Sequence, residues 1–150
     1  MPVTTVGPKT ALIVVDLQKG LVDSPFIPPL AEVTKRTQTL LEVFRRLHLP
    51  LVLVLVNMAG GAPGRIEQPR KRIYPKRWTD LLPELGRQPS DIAVTKRAWG
   101  AFASTDLEAP LRAHGVPQLV IAGVATGTDV EPTVRRHMRR DSTLLWPRTP

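Results

Sequence analysis

Four short segments of the chain are almost wholly apolar. They are ALIVVD (11–16), PLVLVLV (50–56), IAVTK (92–96) and QLVIAGV (118–124). Continuous runs of this length lack the alternation of a sheet with one wet face, and they are typical of strands covered on both faces. The pattern therefore predicts four buried strands of a parallel sheet.

Two helices are predicted between these strands. From Pro28 to Leu49, apolar or small side chains recur at three- and four-residue steps, as an amphipathic helix requires. These positions are Leu30, Val33, Thr37, Leu40, Leu41, Phe44 and Leu47. The segment DLEAPLRAH, from Asp106 to His114, fits a short helix that Gly115 ends. The alternation of strands and helices indicates the α/β class, with a single domain over residues 1–150.

Residues 57–91 interrupt this alternation. Asparagine, glycine and proline residues recur through the segment and prevent a long helix, so we expect a long and partly irregular excursion. Trp78, Leu81, Leu82 and Leu85 are predicted to form one or two helical turns within it. Their apolar contacts would pin the excursion to the body of the protein.

The composition indicates a soluble globular protein. With 150 residues and 42% hydrophobic content, the chain can bury a core without a disulfide or a metal as a staple. It has no cysteine, which excludes disulfides, thiolate metal ligands and cysteine nucleophiles. The first residues, MPVTTVGPKT, lack the basic region and long apolar stretch of a signal peptide. We therefore expect a cytoplasmic protein that has no contact with a membrane.

The positive charge is concentrated in two segments. The chain carries 21 Lys and Arg against 13 Asp and Glu. Six of the basic residues lie from Arg65 to Arg77 and five from Arg135 to Arg148, and the rest of the chain is close to neutral. A nucleic-acid-associated protein that uses these segments is one alternative, but the charge does not require it, and we do not expect nucleic acid as a partner.

Polar residues follow the predicted strands at their carboxyl ends. Asp16 follows the first strand, Lys96 ends the third, and residues 125–129 follow the fourth. In an open parallel sheet these ends converge on one crevice, where ligands bind. Two carboxylates and one ammonium group in such a crevice titrate as a coupled set, which can keep one carboxyl protonated near neutral pH. The sequence therefore predicts an acid–base site.

The same segments resemble a known family. ALIVVDLQKG and VTKRAWGAFASTDLEAPLRAHGVPQLVIAGVATGTDVEPTVR are similar to the isochorismatase-like (cysteine hydrolase) superfamily, which includes isochorismatases, nicotinamidases and carbamoyl-amide hydrolases. The resemblance covers about residues 9–136. It implies a three-layer α/β/α fold with a Rossmann-like parallel sheet in the strand order 3-2-1-4, extended by further strands.

The resemblance also implies roles for particular residues. Asp16 and Lys96 match two members of the family's Asp, Lys and Cys triad, and Asp129 falls where the cysteine is expected. A non-proline cis peptide would join Val124 to Ala125. The backbone N–H groups of Ala125 and residue 129 would form an oxyanion hole.

Aromatic residues are expected on the wall of the crevice by the same resemblance. Phe26 and Trp99, together with Ala125, are the predicted substrate-binding residues. Phe102 fits either the crevice wall or the core.

These assignments favour hydrolysis without a covalent intermediate. A carboxylate is a far poorer nucleophile than a thiolate toward an amide, so acid–base chemistry at Asp16 and Lys96 is the predicted route. The substrate would be a small amide, carbamoyl compound or vinyl ether. Asp129 has a second interpretation, as the N-cap of a following helix that tolerates Pro132 in its first turn. A catalytically impaired family member, which binds a small molecule or acts as a subunit partner, is a further alternative.

No cofactor or metal is implied by the sequence. His48, His114 and His137 are too scattered for a metal triad. We expect a homo-oligomer. Residues 137–150 depart most from the family, and only Ser142–Trp146 is predicted to form a vestigial strand. A shortened or altered C-terminus of this kind would leave sheet and helix faces uncovered.

Overall fold

The computed structural model of the protein describes residues 6–57, 59 and 73–138, and the backbone of residues 143–145. Five parallel strands in these residues form one sheet in the order β3-β2-β1-β4-β5. The strands are β1 (Thr10–Val15), β2 (Leu51–Val56), β3 (Ile92–Lys96), β4 (Gln118–Gly123) and β5 (Thr143–Leu145). The four predicted strands are confirmed to within one residue at each end, and so is the order 3-2-1-4 with an added strand.

Helices cover both faces of this sheet. The described residues form α1 (Leu30–Arg46), α2 (Glu108–Ala113) and α3 (Glu131–Met138), with 3-10 turns at Lys19–Leu21 and Pro83–Leu85 and a π turn at Thr126–Val130. Leu41 and Phe44 of α1 are buried against one face. Leu111 of α2 and Val134 of α3 pack against the other. The predicted three-layer α/β/α architecture is therefore confirmed.

The central strand explains why its sequence is continuously apolar. All six residues of β1 are buried. Alternate side chains of a strand point to opposite faces, so Ala11, Ile13 and Val15 enter the core on the side of α2 and α3. Leu12 and Val14 enter the core on the side of α1. Both faces of β1 are shielded from water. Polar residues at alternate positions would therefore bury groups that have no hydrogen-bond partner.

Both predicted helices are shorter than the sequence pattern suggested. α1 occupies only part of the predicted range Pro28–Leu49, because Pro29 is extended at ψ 147° and His48 adopts φ 53°, outside the helical region. α2 starts two residues later than predicted, and its end is confirmed by Gly115, which takes a left-handed φ of 59°.

The excursion after β2 is pinned to the body of the protein as predicted. Leu82 and Leu85 are buried in the core beside α1, and Leu85 is the last residue of the turn Pro83–Leu85. Leu81 forms an isolated antiparallel bridge with Gln18. Residues 58 and 60–72, which hold much of the first basic segment, lie outside the described residues.

The segment near the C-terminus adds a strand to the sheet. β5 pairs with β4 in parallel, with Gln118 opposite Thr143. This confirms the centre of the predicted strand Ser142–Trp146 and shows that the β4 edge is covered there. The other residues after 138 lie outside the described residues. Within the described ranges, every helix is too short or too polar to cross a membrane.

Candidate active site

Three strand ends bring the predicted acid–base residues together. Asp16 directly follows β1, Lys96 is the last residue of β3, and Asp129 lies in the π turn after β4. Because β2 separates β1 from β3, the Lys96 side chain extends past the end of β2, and two strand spacings amount to about 10 Å. A long side chain is needed at this position to reach the other two.

The three side chains form what we call the carboxylate–lysine cluster (Asp16, Lys96 and Asp129). The Lys96 Nζ atom lies 3.0 Å from Asp16 Oδ2 and also contacts Asp129 Oδ1. The second oxygen of Asp129, Oδ2, accepts a hydrogen bond of 2.6 Å from Thr128 Oγ1. One ammonium group therefore stands between two carboxyl groups.

Burial within the cluster is unequal. The side chains of Lys96 and Asp16 are 0% and 1% exposed, whereas that of Asp129 is 12% exposed. Burial raises the pKa of Asp16 from 3.8 to about 7, although the Lys96 ammonium group opposes this increase. The value of about 7 includes the effect of the Asp129 charge, which raises the pKa because a second negative charge nearby disfavours ionisation of Asp16. Asp16 is therefore poised to hold or release a proton near neutral pH.

The backbone at the site is unusual at two residues that are not glycine. Asp16 has φ 60° and Ala125 has φ 62°, in the left-handed region that costs such residues free energy. The amide of Asp16 donates to Val54 O at 2.9 Å, and this hydrogen bond fixes the backbone of Asp16. Next to Asp16, a Cβ atom on Gly123 would lie 2.1 Å from Val15 O. Only glycine lets β4 approach β1 this closely.

The π turn corrects three expectations. The amides of Thr128, Asp129 and Val130 all donate to Ala125 O, at 3.2, 2.9 and 3.4 Å, so the amide of Asp129 is taken up inside the turn and the predicted oxyanion role for it is wrong. The expected cis peptide before Ala125 is also wrong, since the cis bond found in the described residues precedes Pro28. The carboxylate of Asp129 contacts side chains rather than capping α3, so the interpretation as an N-cap alone is wrong as well.

Two positioning residues were missed by the sequence analysis. The Gln18 side chain is buried, accepts from the Val56 amide at 2.8 Å and donates to Val56 O at 3.1 Å, which holds the end of β2 beside the cluster. Thr133 Oγ1 accepts from the Ala101 amide at 2.8 Å and donates to Asp129 O at 2.6 Å. The only signals in the sequence were a glutamine two residues after Asp16 and a threonine four residues after Asp129.

The predicted aromatic residues lie in different places. Trp99 is about half exposed and lines a cavity of about 510 Å³ with Pro132, Arg135 and Arg136 of α3, among others. Phe102 is buried in the core beside α2 and α3, and its ring stacks on that of His137. Phe26 packs on the side of α1 and lines a separate cavity of about 480 Å³. Ala125 opens the π turn that carries Asp129.

A metal site does not emerge from the described residues. Among them, no group of three or more His, Cys, Asp or Glu side chains is placed to hold a metal ion. The three histidines of the sequence analysis belong to three different elements or loops, because His48 follows α1, His114 follows α2 and His137 lies in α3. The absence of a metal and of a cofactor remains a prediction from the sequence.

The fold and the cluster together define a Rossmann-like α/β protein whose carboxylate–lysine cluster lies at the carboxyl ends of the strands, where such folds bind ligands. The Isochorismatase domain family model matches residues 10–147. The isochorismatase family protein YwoC of Bacillus subtilis (strain 168) is 37% identical over 133 residues, which cover 85% of this chain and 69% of YwoC.

Two further comparisons agree. The ureidoacrylate amidohydrolase RutB of Caulobacter vibrioides (strain ATCC 19089) is 31% identical over an alignment of 160 positions, which covers 87% of this chain and 71% of RutB. The structure of an isochorismatase family protein from Burkholderia thailandensis superposes with a TM-score of 0.83 at 33% identity, covering 95% of this chain and 78% of that one. The chain therefore belongs to the isochorismatase family of hydrolases and is related to amidohydrolases such as RutB.

Proposed function

We propose that the protein hydrolyses a small amide, carbamoyl compound or vinyl ether by acid–base chemistry at Asp16 and Lys96. The observation that carries this proposal is the placement of the Lys96 ammonium group between two buried carboxyl groups. One positive charge cannot balance two carboxylates in a dry site, so the pair retains one proton. A retained proton that is exchangeable near neutral pH is what an acid–base catalyst requires.

A covalent route through a thiolate is not open to this chain. It contains no cysteine, and a thiolate is the nucleophile that makes covalent amide hydrolysis efficient. In the proposal, Asp16 and the neighbouring carboxyl group of Asp129 share one proton, and Lys96 stabilises the one that is ionised. Asp129 is the third member of the carboxylate–lysine cluster. Trp99, Phe26 and Ala125 are the proposed substrate contacts.

The substrate classes rest on different observations. Similarity to RutB, an amidohydrolase by its name, supports an amide or carbamoyl substrate. The raised pKa of Asp16 supports a vinyl ether equally, because cleavage of that group begins with protonation by an acid. The small exposed surface of the cluster favours a small molecule as the partner.

The test is turnover by the purified protein of N-carbamoylglycine, benzamide and ethyl vinyl ether. We expect at least one of them to be hydrolysed, and Asp16→Ala to lower kcat/KM by about 10²–10⁴, the usual contribution of a general acid or base. Asp23→Ala, at an exposed position in the same loop region, is the matched control and is expected to change kcat/KM by less than about two-fold.

Lack of turnover with all three compounds, in a folded protein, would favour the alternative of a non-catalytic family member. Equilibrium binding of the same compounds then tests that alternative. A homo-oligomer and a cytoplasmic location remain predictions from the sequence, and light scattering coupled to gel filtration tests the first.

A further inference from the structure

We propose, resting on the function above, that Asp129 is the group that exchanges protons with water and substrate, and that water attacks the substrate directly without an acyl-enzyme. Asp16 stays behind Asp129 as its protonated partner. Thr128 is the positioning residue that holds the Asp129 carboxylate ready. This division of roles follows from the contacts of the two carboxyl groups.

Exposure separates the two carboxyl groups first. The Asp129 side chain is 12% exposed, whereas Asp16 and Lys96 are almost completely buried. A molecule that enters the site from solvent therefore meets Asp129 before it meets the other two. The proton donor or acceptor that touches the reacting atoms is accordingly Asp129.

Hydrogen bonding separates them again. Both oxygens of Asp129 have a donor, Oδ1 from Lys96 and Oδ2 from Thr128, and these donors stabilise its ionised form. Each carboxylate oxygen carries two lone pairs, so Asp129 can still accept a hydrogen bond from water. A water held in this way is positioned to lose its proton to Asp129.

Asp16 has the opposite surroundings. Asp16 is completely buried, and within the described residues neither of its oxygens accepts a well-formed hydrogen bond, although Lys96 Nζ lies 3.0 Å from Oδ2. A proton on Asp16 resolves this deficit, because the acid can donate to Asp129. Two neighbouring carboxyl groups with such different surroundings divide into an acid and a base.

The steps balance for an amide or carbamoyl substrate. Water attacks the carbonyl carbon while its proton passes to Asp129, which gives a tetrahedral intermediate with one anionic oxygen. Asp129 then gives this proton to the leaving nitrogen. The C–N bond breaks with its electron pair on nitrogen, the carbonyl re-forms, and a carboxylic or carbamic acid and an amine are released. Asp129 is ionised again, and Asp16 has kept its proton throughout.

Direct attack by Asp129 on the substrate is disfavoured by the same contacts. Attack by Asp129 would turn one carboxylate oxygen into the bridging oxygen of an anhydride, which is a much weaker acceptor for the Lys96 or Thr128 donor than an ionised carboxylate is. The anhydride formed would be less stable than the amide consumed, whereas attack by water needs neither change.

The first test follows the fate of oxygen. The wild-type protein turns over the amide or carbamoyl compound many times in water enriched in ¹⁸O, and the peptide that contains Asp129 is weighed by mass spectrometry. Rapid acid quenching during turnover tests for an acyl adduct. We expect an unlabelled peptide and no adduct. Either ¹⁸O in Asp129 or an adduct on it would overturn the proposal.

The second test uses one variant and two measurements. Asp129→Asn keeps the shape of the side chain and is expected to lower kcat by about 10²–10⁴. Carbon-13 NMR of labelled aspartate carboxyl groups, which needs no substrate, is expected to show a lower pKa for Asp16 in this variant, because the neighbouring negative charge is gone. Either an unchanged kcat or an unchanged Asp16 pKa in this variant would overturn the proposal.

Thr128→Val tests the positioning role. We expect a lower kcat and an unchanged KM, because the Asp129 carboxylate has lost the donor that holds it in place. Thr126→Val, an exposed position in the same π turn, is the matched control and is expected to behave like the wild type. Equal kcat values for Thr128→Val and Thr126→Val would contradict the role of Thr128.

The two proposals fail in different ways. If the wild type turns over nothing, or if turnover survives Asp16→Ala, the proposed function is wrong. If turnover depends on Asp16 but survives Asp129→Asn, or if Asp129 is labelled, only the present inference is wrong.

Discussion

Two buried ion-pair regions of this molecule have opposite arrangements of charge. The first is the carboxylate–lysine cluster at the carboxyl edge of the sheet. The second joins Arg45, in the last turn of α1, to Asp91, which directly precedes β3. Arg45 Nη2 lies 2.6 Å from Asp91 Oδ2, and that oxygen also accepts from the Gln88 amide at 2.8 Å. Both nitrogens of the Arg45 fork donate to Leu85 O at 3.2 Å.

The difference lies in the ratio of charges and donors. The second region sets one cation against one anion, and Asp91 receives both a charged and a backbone donor. The cluster sets one cation against two carboxyl groups and leaves Asp16 short of donors. A balanced pair stabilises the fold, whereas an unbalanced and buried set has a proton to exchange. Charge imbalance therefore distinguishes the candidate active site from a structural ion pair.

Removal of the cation from the cluster has the largest expected effect on stability. Lys96→Met keeps the length of the side chain but leaves two buried carboxyl groups unpaired, and breaking such a set costs about 3–5 kcal/mol. Urea unfolding at pH 8 measures this loss. The loss should shrink at pH 5, where the carboxyl groups can take up protons. A small loss that does not depend on pH would contradict the imbalance.

Neutralisation of Asp16 should have the opposite sign. Its pKa is raised to about 7 in the folded protein from 3.8, so between these pH values the folded state holds a proton that the unfolded state has released. Wild-type stability then falls as pH rises through this window, by about 1.4 kcal/mol per pH unit. Asp16→Asn has no such loss and should be more stable than the wild type at pH 8, by on the order of 3 kcal/mol.

The pH dependence is the decisive measurement for Asp16→Asn. Thermal or urea unfolding at pH 4 and pH 8 should show a difference from the wild type that grows with pH. Asp23→Asn, at an exposed position, is the matched control and should show none. A variant that is less stable than the wild type at pH 8 would contradict this prediction, because it would mean that the Lys96 ammonium group is stabilised by both carboxylates.

The sequence predicted the carboxylate–lysine cluster, but it did not predict the pair of Arg45 and Asp91. Asp16 and Lys96 were predictable because continuous apolar runs identify parallel strands, and the residues after such strands share one edge of the sheet. Asp91 gave no signal of this kind, since it precedes a strand. The partner of Asp91 lies 46 residues earlier in the chain, on a helix face that the pattern marks only as polar.

The details that place the cluster were not predictable for a different reason. The left-handed φ of Asp16 and of Ala125, and the turn that takes up the amide of Asp129, are properties of the backbone. No spacing of apolar residues encodes them. Phe26 illustrates the same limit, because its place beside α1 depends on the path of the loop that follows β1.

The balanced pair should give the smallest effect and the simplest one. Asp91→Asn removes the charge that Arg45 faces, and a hydrogen bond to a charged group contributes about 1.5–3 kcal/mol. Because Arg45 is 19% exposed, water can replace part of the loss, so we expect the lower end of this range. Urea unfolding at pH 6 and pH 8 should show equal destabilisation, and the rate of hydrolysis should change by less than about two-fold.

The control for this variant is an exposed ion pair on the same helix. Glu32→Gln removes the partner of Arg36, whose pair is about half exposed, and should cost less than about 0.5 kcal/mol. If Asp91→Asn costs no more than Glu32→Gln, the Arg45 pair adds nothing to stability. If it changes the pH profile of hydrolysis, the two regions are coupled. Either result would remove the contrast between a structural pair and a reactive cluster.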